Sequence, residues 1–132
     1  MLKTILLLVL ATSSATQAVP AMPPKLTPLE LVNLRMRHYN ERQVEAMLAL
    51  YDEEIAVYTY PDRLLGKGKA HLREVLVDTL KDSSAVTLSH QIAAGSHVVS
   101  EETVTYKGKE RHYISIYEVK DELIRSVRFI RD

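Results

Sequence analysis

The sequence predicts an α+β fold, a cone-shaped curved antiparallel sheet with three N-terminal helices packed over its concave face. Two observations carry the class. Between Leu29 and Leu80 apolar residues recur mostly at helical spacing, interrupted by one strand-like run. From Val86 onward the period becomes 2, with turn residues at Gly95, Lys107-Gly108 and Lys120-Asp121. Helices first and strands afterwards is the α+β order, and links this short require antiparallel neighbours.

Met1–Ala18 has the makeup of a secretory signal peptide. Lys3 is basic, Ile5–Leu10 is a short apolar core, and small residues lead to Ala15-Thr16-Gln17-Ala18. The expected product is secreted or periplasmic, cut after Ala18 or alternatively after Ala15. The apolar run is too short to span a bilayer as a helix. Residues 19–26, with Pro20, Pro23 and Pro24, read as an extended tether. The domain proper is expected over 27–132.

Thr27 caps the first helix, with Pro28 at its first position and Glu30 completing a Thr-x-x-Glu box. Leu29, Val32, Met36 and Tyr39 form its apolar stripe. Asn40 ends that helix and is placed to cap the next, with Gln43 as box partner. In the second helix Val44, Met47, Leu48 and Tyr51 lie at i, i+3, i+4 and i+7. Asp52-Glu53-Glu54 makes a polar corner, and Ile55–Tyr60 is a β-branched and aromatic strand stopped by Pro61. Gly66-Lys67-Gly68 reads as a loop. A third helix follows over about Gly68–Leu80, with Leu72, Val75, Leu76, Thr79 and Leu80 on one face. Val86–Ala93, His97–Tyr106, Lys109–Val119 and Glu122–Arg131 are the four strands of a meander.

With 132 residues the chain suffices for one domain with a core. Lys+Arg and Asp+Glu are 17 each, so the surface lacks the positive excess that nucleic acid or anionic membranes require. The chain has no cysteine, which excludes disulfides, thiolate catalysis and cysteine metal sites. His38-x-x-Glu41 and His71-x-x-Glu74 each set two ligand types one turn apart. Neither has a third ligand at a useful spacing, and both fall on polar helix faces, so no metal or other cofactor is expected. Gly66-Lys67-Gly68-Lys69 lacks the ending of a phosphate loop. Arg125, Arg128 and Arg131 line one strand, but nearby acids make a nucleic-acid face unexpected.

Tyr39–Leu80 also carries a resemblance. A helix ending in Leu50-Tyr51, an acidic corner, a short strand, a proline, and a glycine before His71-Leu72-Arg73-Glu74-Val75-Leu76 are similar to the nuclear-transport-factor-2-like superfamily. Within it they resemble the SnoaL-like polyketide cyclases and ketosteroid isomerases. The segment from Tyr113 to Ile130 is similar to that group's last hairpin, and the resemblance covers roughly residues 29–131. It implies an apolar pocket inside the cone, taking a small apolar or aromatic molecule. It also implies a homodimer through the outer sheet face, where Ile114, Ile116, Ile124 and Ile130 would gather. No nucleic-acid or membrane partner is expected.

The resemblance suggests which strand faces point inward. Val57 and Thr59, then Val86, Leu88, His90 and Ile92, are expected inside. So are Glu102, Val104 and Tyr106, then Tyr113, Ser115 and Tyr117, then Val127 and Phe129. A slip of one residue inverts any of these sets. Ketosteroid isomerases use a carboxylate base and an oxyanion site of tyrosine and aspartic acid. Aligned to them, this chain has Thr59 at the base, Ser115 for the aspartate and roughly Arg35 for the tyrosine, so that mechanism does not carry over. The polar inner residues left are His90 and Glu102, a candidate base with its orienting carboxylate. A three-residue turn at Gly95 sets His90 opposite Glu102, and a two-residue turn sets it opposite Glu101. The plainer alternative is a hydrogen-bonded core histidine. The function expected is therefore small-molecule binding, with isomerase, cyclase or dehydratase chemistry by the His90–Glu102 pair. The rival is a non-catalytic ligand-binding or association module.

Overall fold

The computed structural model describes residues 25–132; the expected leader and most of the tether lie outside the described residues. Thr27 is in extended backbone, and its Oγ1 accepts the Glu30 N–H at 3.2 Å. Helix α1 (Pro28–Asn40) starts there. Glu30 returns its carboxylate to the Thr27 hydroxyl at 2.9 Å. The helix buries Leu31, Val32, Arg35, Met36 and Tyr39, so the stripe includes one arginine.

Asn40 does not cap the next helix. Its amide spans the Val86 backbone, accepting from the N–H at 2.7 Å and donating to the carbonyl at 3.1 Å. Helix α2 (Val44–Leu48) has Gln43 at its N-cap with no side-chain cap. It is one turn long, because Tyr51 already opens strand β1 (Tyr51–Thr59). The acidic corner thus lies inside a strand rather than before it. The pairing is irregular between Tyr51 and Ala56, which lets Asp52 Oδ1 accept the Glu54 N–H at 2.8 Å while Tyr51 and Ile55 stay buried.

Strand β2 (Arg63–Lys67) forms a hairpin with β1 across a cis Tyr60–Pro61 bond. The loop expected over Gly66-Lys67-Gly68 is instead strand as far as Lys67. Gly68, at φ 93°, ends the strand and starts helix α3 (Lys69–Leu80). The meander is β3 (Thr87–Ala94), β4 (His97–Tyr106), β5 (Lys109–Lys120) and β6 (Leu123–Arg131), paired antiparallel as expected. Strand order is β2-β1-β6-β5-β4-β3, with β1 parallel to β6. The sheet is curved and unclosed, and its concave face packs against the helices. The core there includes Met47, Tyr51, Ile55, Val98, Tyr117 and Ile124. Among the described residues no helix is long and apolar enough to cross a membrane.

Two register shifts correct the expected faces. Ala94 pairs with His97 around a two-residue turn, but the register shifts between Leu88 and Gln91. An extra residue in one strand reverses the alternation beyond it. Leu88 and Gln91 therefore both face inward, and Gln91 Nε2 donates to the inner Ser100 at 3.0 Å. His90 and Ile92 turn outward, Ile92 with 69 % of its surface exposed. The second shift, between Glu118 and Val119, carries Ile124 into the core at 0 % exposure, not onto the outer face. Ile114, Ile116 and Ile130 remain outside.

Candidate functional site

Between the sheet's inner face and helices α1 and α3 lies a cavity of about 450 Å³. Its walls are mainly apolar: Val57, Leu72, Leu76, Val104, Val127 and Phe129 come from four different elements. Tyr113 meets Phe129 edge-on, ring centres 5.9 Å apart. Its volume falls within the range common to ligand pockets in general.

Two buried charged side chains reach this cavity. Arg35 lies on the buried stripe of α1 and is 9 % exposed. Its Nε donates to the Tyr51 hydroxyl at 2.6 Å, and its Nη1 faces the Met36 sulfur at 3.1 Å. The guanidinium carbon sits 5.5 Å from the Tyr39 ring centre and 5.6 Å from that of Tyr117. Such positions over aromatic faces favour a cation. Burial by itself would make Arg35 easier to deprotonate. The surrounding Tyr117, Tyr51 and Glu102 outweigh that and hold the guanidinium above its ordinary range. Arg35 is a permanent cation with five donors, and no protein acceptor engages its Nη2 among the described residues.

Glu102, 5 % exposed, projects from β4. The Tyr117 hydroxyl donates to its Oε1 at 2.6 Å, and the Ser115 hydroxyl donates to its Oε2. Both donors come from β5, which pairs with β4 in a register that puts Ser115 opposite Ser100. Burial, with the nearby Glu102 charge, pushes the Tyr117 phenol well up, so it remains a neutral donor. Each Glu102 oxygen keeps a lone pair for a ligand.

Of the residues expected at the site, Val57, Glu102, Val104, Tyr106, Tyr113 and Phe129 line the cavity. Ser115 and Tyr117 lie fully buried behind Glu102, as supports rather than walls. Leu88 packs on the core beside the cavity, and Thr59 is half-buried outside it. His90 is the correction. Its side chain is 82 % exposed on the opposite face, and its Nδ1 meets Glu101, not Glu102, at 2.9 Å. The His90–Glu102 pair does not exist, because the two-residue turn and the β3 bulge set His90 outward. His71, read as a solvated helix residue, stands at the cavity's edge against Gly66.

From sequence alone Arg35 enters only as a departure from the isomerase pattern. Its spacing held the missing signal: four residues after Leu31 and four before Tyr39, it lies on the buried stripe. The groups brought together are thus a carboxylate that can accept or carry a proton and a cation that can stabilise charge on oxygen, both in an apolar enclosure.

Comparison with known proteins agrees with this architecture. No curated protein matches the chain in sequence. Solved structures with the same fold include an NTF2-like protein of unknown function from Cytophaga hutchinsonii (TM-score 0.74, 14 % identity, covering 84 % of this chain and 95 % of that one). They also include a candidate polyketide cyclase from Pseudomonas putida (0.66, 18 %, 81 % and 92 %) and an LEH-like epoxide hydrolase from M. tuberculosis (0.67, 14 %, 80 % and 82 %). At these identities the similarity is one of fold. The sequence profile of the SnoaL-like domain matches residues 34–127, the span from α1 through the last hairpin that builds the cone, and the chain belongs to the SnoaL-like family.

Proposed function

We propose that the protein binds a small, mostly apolar molecule in the cone and catalyses proton transfer on it, with Glu102 as acid or base and Arg35 stabilising charge on a ligand oxygen. The observation that carries this is the placing of two charged groups in an otherwise apolar cavity. Burying charge is costly, and apolar residues of similar volume often serve stability as well or better. Groups kept at that cost where a ligand would sit are candidates for function. The isomerase or cyclase type of chemistry fits this pair, whereas a His90–Glu102 dyad does not.

One observation favours a second reading, a binding module without turnover. Both Glu102 oxygens already accept a hydrogen bond, from Tyr117 and Ser115, which is how a purely structural carboxylate is held. Deuterium incorporation next to the carbonyl of 2-tetralone, followed by NMR in D₂O, separates the two. Catalysis predicts exchange above the buffer rate, reduced on the order of 10²–10⁴-fold by Glu102→Gln. Binding without exchange selects the module. No binding overturns both.

The composition of residues 1–18 supports export. N-terminal sequencing of protein from its native host should then begin at Val19, or at Thr16; an intact Met1 would refute export.

A further inference from the structure

The cavity's fixed charges do not balance. Three side chains of its lining carry one: Arg35, Glu102 and Arg131. Arg35 and Glu102 are both buried and both meet Tyr117, the guanidinium over its ring and the carboxylate at its hydroxyl, so at the inner end the charges offset one another. Arg131 stands two strands from Glu102 in the same cross-strand row, with Tyr113 between them. It follows Phe129 on the inner face of β6, pairs in register with Tyr113, and is solvent-exposed. Among the described residues it has no carboxylate in ion-pair contact; Asp132, next in the chain, goes instead to His112 at 3.3 Å. The lining therefore carries one uncompensated positive charge, on its solvent-exposed rim, with the Tyr113 ring between it and the buried pair.

We propose that the ligand is an amphipathic monoanion, an oxygen-bearing carboxylic acid whose carboxylate meets Arg131 at the mouth. Its apolar body fills the cone, and a neutral hydroxyl or carbonyl reaches Arg35 and Glu102 at the inner end. This rests on reading the cone as a ligand site and adds the ligand's charge and polarity. The inner pair suits a neutral oxygen better than a second anion. A carboxylate placed there would gain Arg35 but stand against Glu102, and like charges in a poorly solvated site repel strongly. A neutral hydroxyl can give its proton to Glu102 and accept from Arg35 Nη2. At the exposed mouth a carboxylate keeps most of its hydration and gains a bidentate partner.

Three naphthalene probes test this by calorimetry on the wild type, on Arg131→Gln and on Arg125→Gln, an arginine of the outer sheet face. They are 6-hydroxy-2-naphthoate, with both polar ends; 2-naphthol, with the hydroxyl alone; and 2-naphthoate, with the carboxylate alone. The wild type should bind the hydroxynaphthoate tightest, about fivefold tighter than naphthol, the upper range for a solvent-exposed ion pair. That preference should fall as salt is raised. Arg131→Gln should bring the ratio close to one, and Arg125→Gln should leave it intact. Equal binding of naphthol and hydroxynaphthoate by the wild type overturns the proposal while leaving the pocket reading standing. So does a preference that survives in Arg131→Gln. Failure of all three probes to bind overturns the pocket reading and this inference with it.

Discussion

Arg35 and Glu102 show what a sequence reveals of a site and what it hides. Glu102 was legible because strand alternation puts it with Val104 and Tyr106, and those three do line one cavity. Arg35 was legible only from its place among Leu31, Val32, Met36 and Tyr39. His90 was misplaced because a bulge cannot be read from alternation, and one extra residue inverts everything beyond it. If Arg35 and Glu102 serve a ligand rather than the fold, removing both charges together should not harm folding. The double variant Arg35→Met/Glu102→Gln should be as stable as the wild type or more so, by up to about 4 kcal/mol, and should lose the ligand. Urea unfolding measures it; a loss beyond about 2 kcal/mol would assign the pair to structure. The outer face has its own network. Glu101 accepts from His112 at 3.0 Å and from His90 at 2.9 Å, and these bonds, His112's first, lower the pKa of its carboxyl. The Glu101 bond, more than the nearby Asp132, raises the pKa of His112. The raised histidine contributes stability below its unfolded pKa and loses it as pH rises through the folded one. The lowered carboxylate contributes above its unfolded pKa and loses it as pH falls through the folded one. The two overlap between about 4.3 and about 6.5. Melting temperatures across pH 3–9 should show the wild type's advantage over Glu101→Gln greatest in that window. An advantage that grew towards pH 9 would contradict it.

At the scale of elements, what was legible was local. Thr27, Pro28 and Glu30 start α1 by hydrogen bonds within three residues, and the two-residue links of the meander allow only antiparallel neighbours. What was hidden depended on partners far along the chain. Strand β2 is short, charged and at the sheet's edge, so it lacks the alternation that identifies strands; its pairing with β1 makes it one. Tyr51 has helical spacing from Met47 and Leu48, yet the parallel pairing with β6 draws it into β1. Asn40 has a cap's chemistry but spends it on Val86, tying the end of α1 to the start of the meander. Substitutions distinguish the two roles. Asn40→Ala removes two hydrogen bonds to backbone and should cost about 1–2 kcal/mol by denaturant unfolding. Gln43→Ala, which has no cap bond to lose, should stay within about 0.5 kcal/mol. A matching cost at Gln43 would restore the capping box.

For the whole molecule, the order of elements was enough to place the chain among cone-shaped α+β folds, because three helices followed by a meander leave one concave face for the helices to cover. The opposite, outer face poses a separate question. The registers lay Ile92, Val99 and Ile116 in one row across β3, β4 and β5, and Ile114 beside Ile130 in the next. Ile92 is 69 % and Ile130 41 % exposed. Ile124, once expected among them, is in the core. The bulge that removed Ile92 from the cavity thus adds it to this patch, so the face remains apolar with changed membership. A contiguous patch of this kind is seldom left wet on a monomer, and a two-fold axis through it would make each row meet its own copy. We propose a homodimer through this face, burying on the order of 800 Å² per subunit if it is of ordinary size. Ile116, two residues from Ile114 on β5 and so the link between the two rows, lies away from the cavity and is the residue to change. Ile116→Lys would set two like charges near the axis in a poorly solvated contact, and should yield monomers that still bind the cavity probe. Light scattering at micromolar concentration reads the outcome. A monomeric wild type would remove the dimer, and a dimeric Ile116→Lys variant would move the interface to another face.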